Sequence, residues 1–476
     1  MMVMSGEKQG NKQRDYYTGK HPKQLNVKDG DYDDNIAVNY TGLASARDNS
    51  RLFRGGIEFK LPDGATEQQE LLDNIWDTNK QEQLLSQLAL NGSIYGTPFV
   101  KIVPDGTVNR ITGQPVARLI ALDPEITRVE SNPFDVDEAE RYVIEFTIGE
   151  IGYREVTRKT AMSDMMEPSV DVPSTWIVEH FIMKKDSGKW EPDPDRPPME
   201  WPYSFPPIHH WKNLPSLKAD KGCHGSTDAE WALMLQDKLN FAESNINKTI
   251  RMNAAPPTIV TGIGKEPKMS TGPGSLSWFS TPETKVYNLQ PNADINGSRA
   301  FAGDLQSSIF ELMREVPPAV IAQLGSGLTN FVMRVIYSDA LDKTDTKREL
   351  YGDAILEINR RLLVLTGFEG EQSNPGEIVW KNPLPENIME DVQVDKAALD
   401  MGIIDHETVS QLYKSRYGKS WEDIKAALDA EKKATNALGG GLLRDFMAGR
   451  GQSGQPQTQQ QPAALQQAQQ NQQTGV

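Results

Sequence analysis

The sequence predicts an α+β protein in which a mixed helix-and-strand body carries two long helices joined by a small β insertion. Three observations lead there: residues 44–90 space apolar side chains three and four apart, residues 91–184 break into short β-branched and aromatic runs, and residues 226–365 contain three long helical patterns. At 476 residues the chain can bury a large core over more than one domain, with no need of disulfide or metal staples.

Residues 1–35 are polar, with Tyr16 and Tyr17 as aromatic punctuation. From Ala44 to Leu90 the pattern is helical, with Leu71, Leu72, Ile75 and Trp76, then Leu84, Leu85, Leu88 and Ala89, on one face. The stretch NGSIYGTPFVKIVPDGTVNRITGQPVARLIALDPEITRVE reads as a small antiparallel sheet with Asp-Gly and Thr-Gly turns. RYVIEFTIG and TWIVEHFIMKK continue it up to the proline-rich DPDRPPMEWPYSFPPIHHW.

Thr227-Asp228-Ala229-Glu230 reads as a capping box opening a helix with Trp231, Leu235, Leu239, Ile246 and Ile250. It runs roughly 40 Å to about Asn253, where Pro256 and Pro257 forbid continuation. PTIVTG, SLSWFS and TKVYNLQ are strand candidates in the insertion that follows. A second helix, capped near Asn296 or Ser298, places Phe301, Leu305, Ile309, Leu312 and Val316 on one face. Ala300, Ala302, Gly303, Ser307 and Ser308 on its other faces permit close approach by a neighbour.

Residues 314–332, REVPPAVIAQLGSGLTNFV, interrupt the helices. The adjacent prolines read as the stop of the second helix, and Gly325-Ser326-Gly327 as a flexible corner. A third helix, roughly 50 Å if unbroken, runs from about Asn330 to Leu365, with Gly367 placed as its C-terminal cap. Its alternating charges, DALDKTDTKRELYGD, predict a solvated face laced with salt bridges. The strand candidate EIVWKNPLP leads to helices over about 386–437, and the Gln-rich remainder, 438–476, is too polar to fold.

The net charge of −16 makes nucleic acid a poor default partner, because such a field repels phosphate unless cations are segregated. A lone cysteine, Cys223, excludes an intrachain disulfide framework. No apolar run reaches signal-peptide or membrane-spanning length, so secretion by that route and a membrane-spanning role are not expected.

Enzymatic chemistry finds little support. His209, His210, Cys223 and His224 lie close in sequence, but adjacent histidines on a strand point apart, and a thiol–imidazole pair needs hydrogen-bond reach. GIGKEP fails as a phosphate loop, having Ile259 where a glycine is required and Glu266 after the lysine. GSGLTN is no dinucleotide fingerprint, and the acidic DGDYDDN near residue 30 lacks calcium-loop spacing and reads as a solvated loop. The expectation is a non-enzymatic protein with no cofactor and no metal. The alternatives are a cytosolic metal- or Cys/His-dependent enzyme built on residues 209–224, or an oligomeric structural component such as a scaffold or adaptor.

An ordered set of segments resembles the SPP1-like portal proteins of tailed bacteriophages. It comprises YYTGKH, NGSIYGTPFVKIVPDG followed by ALDPE, GCHGSTDAEWALMLQDKLNFAESN, REVPPAVIAQLGSGLTNFVMRVIYSDAL and IVWKNPLPENIMEDVQVDKAALDMGIIDHETVSQ. One departure is SGLTN, where the family commonly has Ser-Gly-x-Ala-Leu. The resemblance implies a subunit with a mixed α/β wing, a two-helix stem, a small β clip and a helical crown, assembling into a ring, usually of twelve. It would stand at one capsid vertex, pass double-stranded DNA during packaging and ejection, and reside in the host cytoplasm during assembly.

On this chain the wing would be 1–225 with 330–385, the stem 226–253 and 296–316, the clip 254–295, the channel loop 317–329 and the crown 386–437. The implied partners are other copies of the chain, the terminase large subunit that hydrolyses ATP, major capsid and scaffold proteins, and a head–tail adaptor. Ala322, Gln323, Leu324, Gly325, Ser326 and Gly327 would form the DNA-facing loop, with Ala322, Gln323 and Leu324 as a short uncharged tip. Arg314 and Arg334 are candidate channel-lining cations. Lys265, Glu266, Lys268, Trp278 and Phe279 are candidates for docking the terminase and adaptor at the clip.

Overall fold

In a computed structural model the described residues are 6–28, 32–109, 113–160, 175–184, 188–217, 222–262, 274–283, 285–288, 294–323, 329–384, 388–405, 407–409 and 425–426. The expectations for Lys265, Glu266, Lys268, Leu324, Gly325, Ser326, Gly327 and the tail 438–476 therefore lie outside the described residues, as does most of 386–437. Residues 1–386 form one compact unit and 387–476 another.

The polar N-terminus is not featureless. Helix α1 (Gly6–Tyr17) buries Tyr16, and α2 (Tyr40–Leu52) follows, capped by the Asn39 side chain accepting from the Gly42 amide at 2.9 Å. The helical pattern expected to continue from Ala44 is broken by strand β1 (Ile57–Lys60), which alternates buried Ile57 and Phe59 with exposed Glu58 and Lys60. Helices α3 (Thr66–Thr78) and α4 (Gln81–Tyr95) bury Leu72, Ile75, Trp76, Leu85 and Leu88. NGSIY, expected to open the sheet, is instead the last turn of α4, which stops at left-handed Gly96 (φ 81°).

The glycine-punctuated region builds two sheets rather than one. Strands β2 (Phe99–Val108) and β3 (Pro115–Leu122) pair antiparallel with a register shift between Val103 and Thr107. The Asp105-Gly106 pair thus makes an irregularity within β2 instead of turning the chain. Strands β4 (Thr127–Ser131), β5 (Ala139–Ile148), β6 (Ile151–Lys159) and β7 (Trp176–Lys184) form an antiparallel meander, with β8 (Glu191–Pro192) and β9 (Met199–Trp201) both on β7. Strand β10 (Ile208–His210) returns to β2.

Helix α5 (Leu233–Ala254) leads into β11 (Thr258–Gly262), β12 (Leu276–Ser280) and β13 (Lys285–Asn288), the three strands expected in the insertion. Strand β11 lies between a parallel β12 and an antiparallel β13. Helix α6 (Ile295–Leu312) is capped by Asp294, not by Asn296 or Ser298. Leu239, Ile246, Ala302, Ile309 and Phe310 form the α5–α6 core; of the small residues expected to admit a neighbour only Ala302 is buried, while Ala300 and Gly303 are exposed. Trp231, Ile250, Phe301 and Leu312, read as part of the apolar faces, are exposed.

The expected third helix is broken at Tyr337 into α8 (Asn330–Ile336) and α9 (Ser338–Leu365), after the short α7 (Pro318–Gln323). The Arg51 guanidinium lies 5.9 Å from the Tyr337 ring at the break. Helix α9 ends in a Schellman turn: Phe368 N–H donates to Leu363 O at 3.0 Å and Gly367 N–H to Val364 O at 3.1 Å, with Gly367 left-handed. A 3-10 turn (Gly370–Ser373) then leads to β14 (Glu377–Trp380), antiparallel to β1.

Ile355, Ile358 and Leu362 of α9 pack with α3, α4 and the β2–β3 sheet in the largest core cluster. Trp76 Nε1 donates to Asn359 Oδ1 at 2.7 Å inside it. In the second unit, α10 (Ile388–Asp400) stops at left-handed Gly402, with Ile403 N–H donating to Ala398 O at 2.9 Å. Among the described residues no helix is long and apolar enough to cross a membrane.

Candidate channel segment and its buried footing

Helix α6 stops at Met313, five residues before Pro318, so the prolines do not end it. Arg314 turns the chain through a left-handed conformation (φ 57°), and Pro318 opens α7, where its fixed φ suits the first turn of a helix. Ala322 is exposed on α7, and Gln323 is that helix's last residue. Arg314 and Arg334 are both exposed, Arg334 on α8, which contains no buried residue.

At the insertion, Trp278 and Phe279 are half-buried on β12, opposite Val260 and Thr261 of β11. The histidine region holds its members by packing. His210 Nδ1 lies 2.9 Å from the Tyr142 hydroxyl, while the His209 ring on the other side of β10 lies tilted against Trp211, with ring centroids 5.8 Å apart. Burial and the neighbouring His224 hold His210 down to about 3, and burial lowers His209 well below its ordinary value, so both stay neutral near pH 7. Burial pushes the Cys223 thiol up, the opposite of what an activated nucleophile needs. Among the described residues no three His, Cys, Asp or Glu side chains converge in a way that could hold a metal ion.

The feature that sequence reasoning missed is a buried cluster of six charges. Asp48 and Arg51 come from α2, Asp228 from the approach to α5, Glu315 from the α6–α7 turn, and Lys343 and Lys347 from α9. Three cations face three carboxyl groups, and Lys347 and the Asp228 side chain are fully enclosed. Lys347 donates to Asp48 and, at 2.8 Å, to Asp228, while Lys343 approaches the same two carboxylates at 3.2 and 3.7 Å. Asp228 also accepts from Ser93 Oγ at 2.6 Å and Asn213 Nδ2 at 3.0 Å, and Asn213 Oδ1 accepts from Tyr351 at 3.0 Å.

These contacts explain why the expected capping box does not form. Asp228 turns inward to the lysines, the Thr227 hydroxyl is buried without a partner, and α5 starts at Leu233. They also correct the solvated reading of the charged α9 stretch in part: Asp339, Asp342, Asp345, Glu349 and Asp353 are exposed as expected, but Lys343, Thr344, Lys347 and Tyr351 are buried. Burial alone would raise the Asp48 carboxyl, but Lys343 and Lys347 more than offset it and hold the group well below the carboxylate range. Glu315 behaves oppositely: burial, only partly countered by Arg51, pushes it up to about 7.

A second polar device fixes α5. Gln236, Asn240 and Ser244, four residues apart and fully buried, accept backbone N–H groups of Tyr40, Thr41, Val38 and Ile36, pinning the extended segment before α2. Arg251 closes this ladder on Asp34, so that residue of the acidic cluster is buried rather than solvated. Asp33 beside it is held to about 2 by hydrogen bonds from Lys23 and Asn35.

Residues 8–435 match the family model described as phage portal protein, SPP1 Gp6-like. The chain therefore belongs to the phage portal protein family, and its general role lies in DNA packaging and the phage virion. No curated protein matches it.

Proposed function

We propose that the chain assembles into a twelve-membered ring at one capsid vertex, a conduit through which double-stranded DNA enters during packaging and leaves at ejection. Helices α5 and α6 serve as its stem, strands β11–β13 as the clip that meets the terminase and later the adaptor, and residues 317–329 as the channel loop. The α/β body forms the wing and residues 386–437 the crown. The observation that carries the reading is the α5–α6 pair: with its inner face already packed, it leaves Met234 73% and Phe301 57% exposed, beside Trp231, 76% exposed in the turn before α5. Apolar surface of this kind on adjoining helices suits burial against the next copy in a closed ring.

The channel chemistry agrees with a net charge of −16, since a strongly basic lining would hold phosphate at many points and stall passage. Exposed Arg314 and Arg334 are the scattered cations of such a lining. Negative-stain electron microscopy of the purified full chain tests the assembly. Rings with a central hole are expected, and monomers or dimers at every concentration would defeat the proposal.

A further inference from the structure

Helices α5 and α6 share one core, and each keeps a second face exposed. On α5 that face carries Met234, Lys238, Phe241 and Lys248, which helical spacing aligns along one side. On α6 it carries Ala300, Gly303, Asp304 and Glu311, and a Cβ added at Gly303 would meet nothing within 4 Å. At about 3.6 residues per turn both faces fall on the sides of their helices opposite Leu239, Ile246, Ala302 and Ile309, the core they share. The charges differ in sign: the α5 face is basic and the α6 face acidic. Among the described residues none of these four charges has an ion-pair partner. Asp237 beside the basic face is engaged by the Tyr16 hydroxyl, and Arg299 stands off the acidic face in the first turns of α6.

We propose that these faces meet between neighbouring copies of the chain: the basic face of α5 on one copy packs against the acidic face of α6 on the next, with Phe241 over the open surface at Gly303. This rests on reading the chain as a ring-forming subunit. A cyclic ring joins two different patches at every contact, so the faces must complement each other rather than themselves. Basic against basic would repel, whereas α5 against α6 matches opposite signs. The levels agree as well. Tyr40 N–H donates to Gln236 near the start of α5 at 3.1 Å, and its ring lies 5.8 Å from that of Phe310 near the end of α6, so Lys238 and Glu311 stand at the same end of the pair. In a ring whose axis runs along the helices, rotation keeps that level and brings Lys238 of one copy towards Glu311 of the next. Met234 and Phe241 supply the apolar area of the contact, and the charges fix which helix faces which.

Two variants of the full chain test the pairing. Lys238→Glu with Lys248→Glu makes both faces acidic, and Asp304→Lys with Glu311→Lys makes both basic, all at exposed positions. In light scattering and negative-stain microscopy each variant alone should need at least about tenfold more protein to form rings than the unmodified chain. Mixed in equal amounts the two should assemble again, because every α5 then meets an oppositely charged α6 in an alternating ring. In about 1 M salt, where the screening length is about 3 Å, each variant alone should regain part of its assembly. Rings from either variant alone at the unmodified chain's concentration, or a mixture no better than its components, overturn the proposal and leave the ring itself standing. Should a variant fail to fold, Lys238→Glu and Glu311→Lys combined in one chain decide: assembly no better than that of either single change overturns the pairing. An unmodified chain that stays monomeric at every concentration defeats the ring, and this contact with it.

Discussion

Replacing Lys347 with methionine leaves the volume of the side chain nearly unchanged but removes the charge on which Asp48 and Asp228 converge. Lys347 is fully buried, so water cannot take its place. Deleting one member of a buried ion pair costs about 3–5 kcal/mol, mostly because the partner's charge is left uncompensated. Here the loss falls at the lower end, about 3 kcal/mol by the same reasoning, because Lys343 remains 3.2 Å from Asp48 and because Ser93 and Asn213 still donate to Asp228.

Urea unfolding followed by tryptophan fluorescence, at one fixed protein concentration, measures that loss. Adding Asp48→Asn restores the balance of charges and should recover part of the stability, giving a coupling between the two sites of 0.5 kcal/mol or more, about the threshold for residues in contact. A loss below about 1 kcal/mol for Lys347→Met, or strictly additive effects in the double variant, would refute the claim that this is one electrostatic unit.

Glu315 gives a pH dependence of definite sign. Its folded-state value of about 7 lies above the ordinary carboxylate value, so the native state holds the extra proton and stability falls as pH rises from about 4.5 towards 7, by roughly 3 kcal/mol in all. Glu315→Gln should flatten that window in a urea series across pH, leaving the acid-side loss below about pH 4 that belongs to Asp48; an unchanged slope would count against it. Gly225→Ala would put a Cβ 2.4 Å from Gly96 O and 2.8 Å from Asn213 N, and about 1–3 kcal/mol of urea stability should be lost; a neutral result would show that the crossing can widen. Trp231→Ser should weaken ring assembly by about 2 kcal/mol, seen as dissociation at higher concentration in light scattering. Its subunit melting temperature should not change, and a drop would mean that Trp231 packs within the subunit.

Elements with a strong local period were legible. The three insertion strands and the Gly367 cap lie where turn chemistry and β-branched runs place them. Several differences arise where a polar side chain pairs with a segment distant in sequence rather than with water or its own helix. Gln236, Asn240 and Ser244 repeat every four residues as an apolar stripe would, but their partners are backbone amides some 200 residues away in sequence, as the pair Val38–Asn240 (separation 202) illustrates. Thr227 to Glu230 has the residues of a capping box, yet the buried lysines of α9 compete for Asp228 and win. Alternating charge on α9 looked solvated because sequence does not reveal that its partners, Asp48 and Asp228, come from two other segments. The one visible signal was the i, i+4 spacing of Lys343 and Lys347 on the same face as Tyr351, a pattern that puts charge on the side of the helix that also carries apolar bulk.

The segments that mark the family are distant in sequence and meet in a continuous set of contacts. NGSIYG ends at Gly96 and GCHGST contains Gly225, and their backbones cross so closely that neither position has room for a Cβ. Asn213 is fixed to that crossing by its N–H on Gly96 O at 2.9 Å, and its side chain holds Asp228. Asp228 in turn holds Lys347, and Lys343, one turn earlier on α9, donates to the end of α6 at Met313. A glycine crossing in the body thus reaches the end of α6 at Met313 through a few buried polar links. On this view the motifs around Gly96, Gly225 and Asp228 are tied together by one buried cluster of ion pairs and hydrogen bonds.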